Sequence, residues 1–268
     1  YEACLGHFLE FLKIQKQTQP GSYAAITRTI VQQKGIAGVL DGFVPWGIIQ
    51  GAAKGAVFGA GHAFAKNKLQ GFVENGSISS STANILAGGI GGGFQGFVLS
   101  PTLLLKTRVM TDPVFRNQMS MIETSKLSAK VGMKVIRDEG LAALMKGSIV
   151  FSSKRVADWT TRYFFATQAE NLIYKRNDAN YKLETHEELI ASLLGGVVSG
   201  FSTVPLDVMV AQIQQASKAG QKVGVVATFV EQYKQGGLKQ IGGFATRGFV
   251  ARVAHVAFTT ALMKTAAS

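Results

Sequence analysis

The sequence predicts an all-α membrane protein: six transmembrane helices in three tandem helix–loop–helix repeats around a pseudo-three-fold axis, forming one domain over residues 1–268. Three observations predict it. Segments 43–65, 83–105 and 189–216 carry one charge (Lys54), none, and one (Asp207), and each is long enough to cross about 30 Å of hydrocarbon. Segments 147–169 and 241–263 are also apolar, with charges in their interiors. Next, a short phrase recurs three times, each copy damaged differently: Phe8-Leu9-Glu10-Phe11-Leu12-Lys13, Pro101-Thr102-Leu103-Leu104-Leu105-Lys106 and Pro205-Leu206-Asp207-Val208-Met209-Val210. Superimposed, they give Pro, an acid two residues on, and a base three beyond it. A proline inside an apolar helix breaks the backbone ladder, so Pro101 and Pro205 are read as helix kinks. A charge pair at that depth is costly unless partnered.

The third observation is a pair of glycines seven residues apart after each phrase. Lys34-Gly35 precedes Leu40-Asp41-Gly42, Glu139-Gly140 precedes Met145-Lys146-Gly147, and Gln235-Gly236 precedes Ile241-Gly242-Gly243. Glycine supplies the tight turn and the helix entry. The repeats therefore run over 1–70, 77–170 and 183–268, each with an odd helix bearing the kink phrase, a short surface helix and an even helix. Polar links at 67–81 and 176–185 separate them. Only seven residues precede Phe8, which predicts a short first helix unless residues upstream of Tyr1 complete it.

Composition narrows the function. The formal net charge is +12, yet the bases are spread over loops and helices rather than gathered on one groove-reading face, which argues against nucleic acid. Residues 106–146 hold eight Lys/Arg against four Asp/Glu, as suits a segment lying on an anionic lipid surface. Cys4 stands alone and the four histidines are scattered, so neither a disulfide framework nor a metal site is expected. The run Gly91-Gly92-Gly93-Phe94-Gln95-Gly96 matches a dinucleotide fingerprint only formally, because no strand precedes it. No cofactor and no enzyme are expected.

The repeated phrases resemble those of the mitochondrial carrier family across essentially the whole chain. That family carries Pro-x-Asp/Glu-x-x-Lys/Arg and then Glu-Gly…aromatic-basic-Gly in each of three repeats. Glycine steps at Gly88, Gly89, Gly92, Gly96, Gly195, Gly196 and Gly200 agree with close helix approach. Pro45-Trp46, Lys54-Gly55-Ala56-Val57, Lys154-Arg155, Trp159 and Arg162 are similar to the fungal citrate/oxoglutarate exchanger subgroup, from which the chain diverges. The resemblance implies a multi-pass protein of the mitochondrial inner membrane with matrix-side surface helices. It also implies a small anionic metabolite as partner and anionic lipid (cardiolipin) at the even-helix starts near Gly42, Gly147 and Gly243.

The resemblance further implies a matrix gate of acid–base pairs between odd helices. Mapped here, Glu10 pairs with Lys106 and Asp207 with Lys13. The third pair would be Leu103 with Val210, so both losses fall on one pair and leave no orphan charge. The outer gate of the family expects an acid near the end of each even helix. The slots read His62-Ala63…Lys66, Thr167-Gln168…Asn171 and Met263-Lys264…Ala267, with no acid in any. Prolines that would open the second and third even helices are replaced by Val150 and Thr246.

Counting from Gly42, Gly147 and Gly243, Gln50, Arg155 and Ala251 share one depth, and Lys54, Trp159 and His255 another, both on one helix face. Lys154, Arg162, Arg247 and Arg252 add charge. Arg forks suit carboxylates and Lys offers a point charge, which makes a di- or tricarboxylate the expected ligand. Blander roles stand beside this. Asp158 lies where it neutralises Lys154, Arg155 or Arg162; His255 and Trp159 suit packing; and Lys66, Lys264 and Arg176 suit snorkelling. Two functions follow: an antiporter of citrate- and oxoglutarate-like anions working by alternating access, or a carrier-derived, transport-inactive subunit of a large inner-membrane, for example respiratory, complex.

Overall fold

The computed structural model describes residues 2–18, 21–116, 120–145, 147–174, 183–218 and 225–256. Every regular element among them is helical. The first repeat contains α1 (Glu2–Thr18), the surface helix α2 (Tyr23–Lys34) and the even helix α3 (Ile48–Glu74). The second contains α4 (Ser80–Val98), α5 (Ser100–Thr111), the surface helix α6 (Met121–Glu139) and the even helix α7 (Ser148–Ile173). The third contains α8 (Thr185–Lys218), α9 (Val225–Ala245) and a helical stretch over 249–256.

Capping chemistry sets several of these boundaries. Ser22 and Ser79 each turn a hydroxyl back onto the amide three residues on, Ala25 and Thr82, at 3.2 and 3.1 Å. Ser120 and Glu123 form a reciprocal capping box at the start of α6, which satisfies amides the first turn would otherwise leave open. Those bonds hold the exposed Glu123 carboxyl below its usual range.

The bundle is inside-out relative to a water-soluble protein. Ile90, Phe94, Phe97, Phe164, Ile190, Leu194, Val198 and Phe201 stand exposed on α4, α7 and α8, while Lys106, Lys154, Asp158, Asp207 and Arg252 are buried. An apolar exterior around charged groups is the arrangement that lipid favours. Two stretches, Ile36–Glu74 and Thr185–Val210, are long and apolar enough to cross a membrane by length and composition. The expected span at 83–105 is divided instead, α4 ending at Val98 and α5 beginning at Ser100. The span at 147–169 carries Lys154, Arg155, Asp158 and Arg162 in its middle, which lowers its hydropathy.

The two expected kinks differ. Pro101 occupies the first turn of α5, where its missing amide breaks no bond. Pro205 lies inside α8, which continues through it to Lys218, and its missing amide leaves the Phe201 carbonyl without the usual helical donor.

The helices α3, α4, α7 and α8 pack in succession, while α1 touches α5 and α8. Glycine sets the closest approaches. A Cβ on Gly92 would lie 2.7 Å from the Arg155 carbonyl oxygen, and one on Gly195 would lie 2.7 Å from the Ala166 Cα. Neither neighbour is a side chain that could swing away.

The glycine turns correct the third repeat. Gly35, Gly140 and Gly237 are left-handed at φ 70°, 82° and 62°, and close the surface segments. Gly42, Gly147 and Gly248, at φ 77°, 82° and 82°, open the even helices. The amides of Phe151 and Arg252 donate to the carbonyls of Gly147 and Gly248 at 2.9 Å each, an identical first turn. The third even helix therefore opens at Gly248, not at Gly243. Gly242 and Gly243 sit inside α9, whose last residues extend the interval from seven to eleven. Val256, not Ala251, now shares the depth of Gln50 and Arg155. His255 moves to the level of Ile49 and Lys154, and the partner of Lys54 and Trp159 becomes position 260, outside the described residues.

Candidate functional site: a cationic cavity closed by buried ion pairs

One cavity among the described residues enclosing about 1060 Å³ of empty space, counting its open mouth, is lined from all three repeats by Glu10, Lys13, Gln50, Lys54, Gln95, Leu103, Lys154, Arg155, Trp159, Arg162, Asp207, Val210, Arg252, His255 and Val256, among others. Of the residues expected at a substrate site, Gln50, Lys54, Lys154, Arg155, Arg162, Arg252 and His255 face it. Arg247 does not. Its guanidinium lies 5.2 Å above the Phe244 ring, beside the left-handed turn at Gly248 rather than inside the helix that follows.

The expected gate residues meet in two places. Lys106 Nζ donates to Glu10 Oε2 at 2.7 Å, joining α5 to α1, and Lys13 Nζ lies 3.8 Å from Asp207 Oδ2, joining α1 to α8. Gln50 braces the base of the first pair, accepting from Lys106 at 3.4 Å and donating to Thr102 Oγ1 at 3.3 Å. Leu103 and Val210, the apolar pair, are both buried and both line the cavity.

The cations are not equally available. Lys154 Nζ is held by Asp158 and by Asp207, the latter at 2.8 Å. Arg252 forks between Asp158 at 3.0 Å and Asp207 at 3.2 Å. These two residues, expected as ligands, are members of a buried network. Arg155 donates to the Gln95 side chain and lies 3.9 Å from Asp158. Arg162 has no carboxylate within ion-pair distance among the described residues. Its guanidinium sits 4.9 Å from the Trp159 ring, and its Nε is buried without a hydrogen-bond acceptor. Burial of a cationic donor without an acceptor is costly, and a bound carboxylate would relieve it.

Three features escaped the sequence reading. Gln95 on α4 donates to the Lys54 carbonyl at 2.7 Å while its oxygen receives Arg155, so one amide positions cavity cations from two even helices. A buried amide amid an uncharged glycine-rich span was the available signal. Asp158 holds Arg252 from another repeat, a contact that helix spacing does not reveal. Near the expected outer slots lies an aromatic stack: Phe58 is 4.0 Å from Trp159, and His62 is 5.7 Å from Phe58 and 5.8 Å from Tyr163. The third outer slot, Met263-Lys264…Ala267, lies outside the described residues.

Seven cations (Lys13, Lys54, Lys106, Lys154, Arg155, Arg162 and Arg252) thus face or flank the cavity with three carboxylates, Glu10, Asp158 and Asp207. The excess is four positive charges. Among the described residues no cluster of His, Cys, Asp and Glu could hold a metal ion.

The sequence profile described as mitochondrial carrier protein matches residues 78–177 and 181–267. The chain is 24% identical to the citrate/oxoglutarate carrier protein of Saccharomyces cerevisiae, over 88% of this chain and 75% of that one. It is 23% identical to mitochondrial ornithine transporter 1 of Mus musculus, over 88% and 80% of the two chains. The ornithine transporter 1 of Rattus norvegicus is 22% identical with the same coverage.

Proposed function

The chain belongs to the mitochondrial carrier protein family, and from that premise we propose that it exchanges small di- or tricarboxylates across the mitochondrial inner membrane. The observation that carries this reading is the four-charge cationic excess of the cavity. The similar proteins differ in what their names say they carry, citrate and oxoglutarate in one and ornithine in the others. Ornithine is a cation at neutral pH, and a cavity with this excess repels it. A tricarboxylate answers most of the excess, and unlike charges inside a low-dielectric cavity attract by several kcal/mol before desolvation.

Lys54, Arg155 and Arg162 are the binding residues in this reading, on the even helices of the first two repeats. His255 lines the same cavity from the third, at the level of Lys154. Glu10–Lys106 and Lys13–Asp207 form the closure, and Leu103 against Val210 completes it as an apolar contact. Binding of an anion draws the cavity cations together and loosens the closure, so that access alternates. Cardiolipin headgroups suit the helix starts at Gly42, Gly147 and Gly248, where open amides meet phosphate.

Purified protein in liposomes loaded with oxoglutarate should take up labelled citrate, and Lys54→Ala or Arg155→Ala should abolish uptake. Wild-type vesicles as inert as empty ones would overturn the proposal.

A further inference from the structure

We propose, on the reading of the cavity as a carboxylate site, that Asp158 is an internal counter-anion. In the empty protein it occupies the cations a substrate would take, and its pairing with Arg252 joins Lys154–Asp207 in the ionic tie between the second and third repeats, where Leu103 and Val210 are apolar.

Position supports both halves. Asp158 is 2% exposed on α7, one turn from Lys154, and its carboxylate forms ion pairs with Lys154 and, at 3.0 Å, with Arg252. Arg252 belongs to the third repeat and Asp158 to the second, so this bond crosses the seam where the apolar pair stands. Asp207, on α8, shares both cations, which makes the crossing a four-membered ring of charge. The backbone is pinned as well: Ser199 Oγ donates to the Asp158 carbonyl at 3.0 Å and pairs with Thr161 Oγ1 at 2.7 Å.

Lys154, Arg155 and Arg252 line the cavity, whereas Asp158 reaches them from behind its wall. An incoming carboxylate therefore competes with Asp158 for the same donors. As it succeeds, the tie between repeats weakens. Asp158 is accordingly a positioning residue: it sets cation geometry and couples occupancy to the seam without needing to touch the ligand.

A merely structural carboxylate and a counter-anion predict opposite signs. Asp158→Asn and Asp158→Glu are compared with wild type in detergent, with citrate and inorganic sulfate titrated against thermal stability, and in liposomes. Removing the competing charge should tighten binding of both anions about tenfold in Asp158→Asn, with Asp158→Glu near wild type. In liposomes, unidirectional efflux without counter-substrate should rise relative to exchange in Asp158→Asn and return in Asp158→Glu. Weaker or unchanged anion binding, or an unchanged efflux ratio, overturns the inference. Wild type that neither binds nor exchanges citrate would sink the carboxylate-exchange reading instead; the sulfate titration then decides Asp158, tightening in its favour and any other result against it. If Asp158→Asn does not fold, the double variant Asp158→Asn/Arg252→Gln removes both charges of the Asp158–Arg252 arm and leaves Lys154–Asp207; it should show the raised efflux ratio, and an unchanged ratio overturns the inference.

Discussion

Lys34 shows how a single side chain can be wholly committed. Its Nζ donates to Asp41 Oδ1 at 2.6 Å, to the Phe115 carbonyl at 2.8 Å and to Thr124 Oγ1 at 2.9 Å, filling all three donor positions of an ammonium. His7 Nε2 lies 3.1 Å from the Asp41 carbonyl, so α1, α2, the turn before α3 and α6 meet at one buried ion pair. The sequence carries the opposite order, Glu139 and Lys146, at the same step of the second repeat. Acid and base have exchanged places while the spacing is kept. Lys34→Ala should cost about 3–5 kcal/mol, because Asp41 is left buried and uncompensated. Lys34→Met combined with Asp41→Leu should recover most of that loss, and denaturant unfolding in detergent measures both. Recovery would fail if Lys34 acted chiefly through its bonds to Phe115 and Thr124. The seven-residue spacing was plain in the sequence; the bonds to the second repeat were not, because they join residues eighty or more positions apart.

Elements were legible wherever one signal had one interpretation. The surface helices and the glycine steps of the first two repeats follow from local chemistry and recur in the structure; the serine caps at Ser22, Ser79 and Ser120 were not read from the sequence. The start of the third even helix was misplaced because Gly236, Gly242 and Gly243 satisfy the spacing as letters, while the sign of φ that a turn requires is invisible in a sequence. The correction makes a paired prediction. Gly248→Ala forces an L-residue into φ +82° and should cost about 1–2 kcal/mol. Gly243→Ala meets nothing within 4 Å and should gain about 0.5–1 kcal/mol from reduced chain entropy. Thermal unfolding that ranked the two the other way would restore the original register. On α4, Gly92→Ala should destabilise by about 1–3 kcal/mol through overpacking against the Arg155 backbone. The same measurement on Gly59→Ala, where the added carbon meets no neighbour, serves as the control.

At the scale of the whole molecule, the cationic character of the cavity was readable from the even helices, but its internal bookkeeping was not. Lys154, Arg155, Arg162 and Arg252 stand in the sequence as equals. Packing divides them into two bound by carboxylates, one steered by Gln95 and one stacked on Trp159, a division made by contacts between repeats. Net charge, not any one contact, is what the anion proposal rests on, and it can be altered at one position. Lys54→Glu lowers the excess by two and should reduce kcat/KM for oxoglutarate at least about tenfold at the few kcal/mol expected for a partly buried charge. Lys68→Glu, exposed on the same helix and outside the cavity lining, should leave exchange unchanged. Equal losses in the two variants would point to a general surface effect instead. The glycine face of α4 has a mechanical consequence as well. At Gly91, Gly92 and Gly96 an added carbon would lie 2.9, 2.7 and 2.9 Å from backbone atoms of His62, Arg155 and Ser152, so at these three points no side chain cushions α4 against α3 and α7. The first helix is fastened to α5 and α8 by Glu10–Lys106 and Lys13–Asp207, so under the exchange proposed above these two ion pairs are the contacts that a turn of α1 would break and remake.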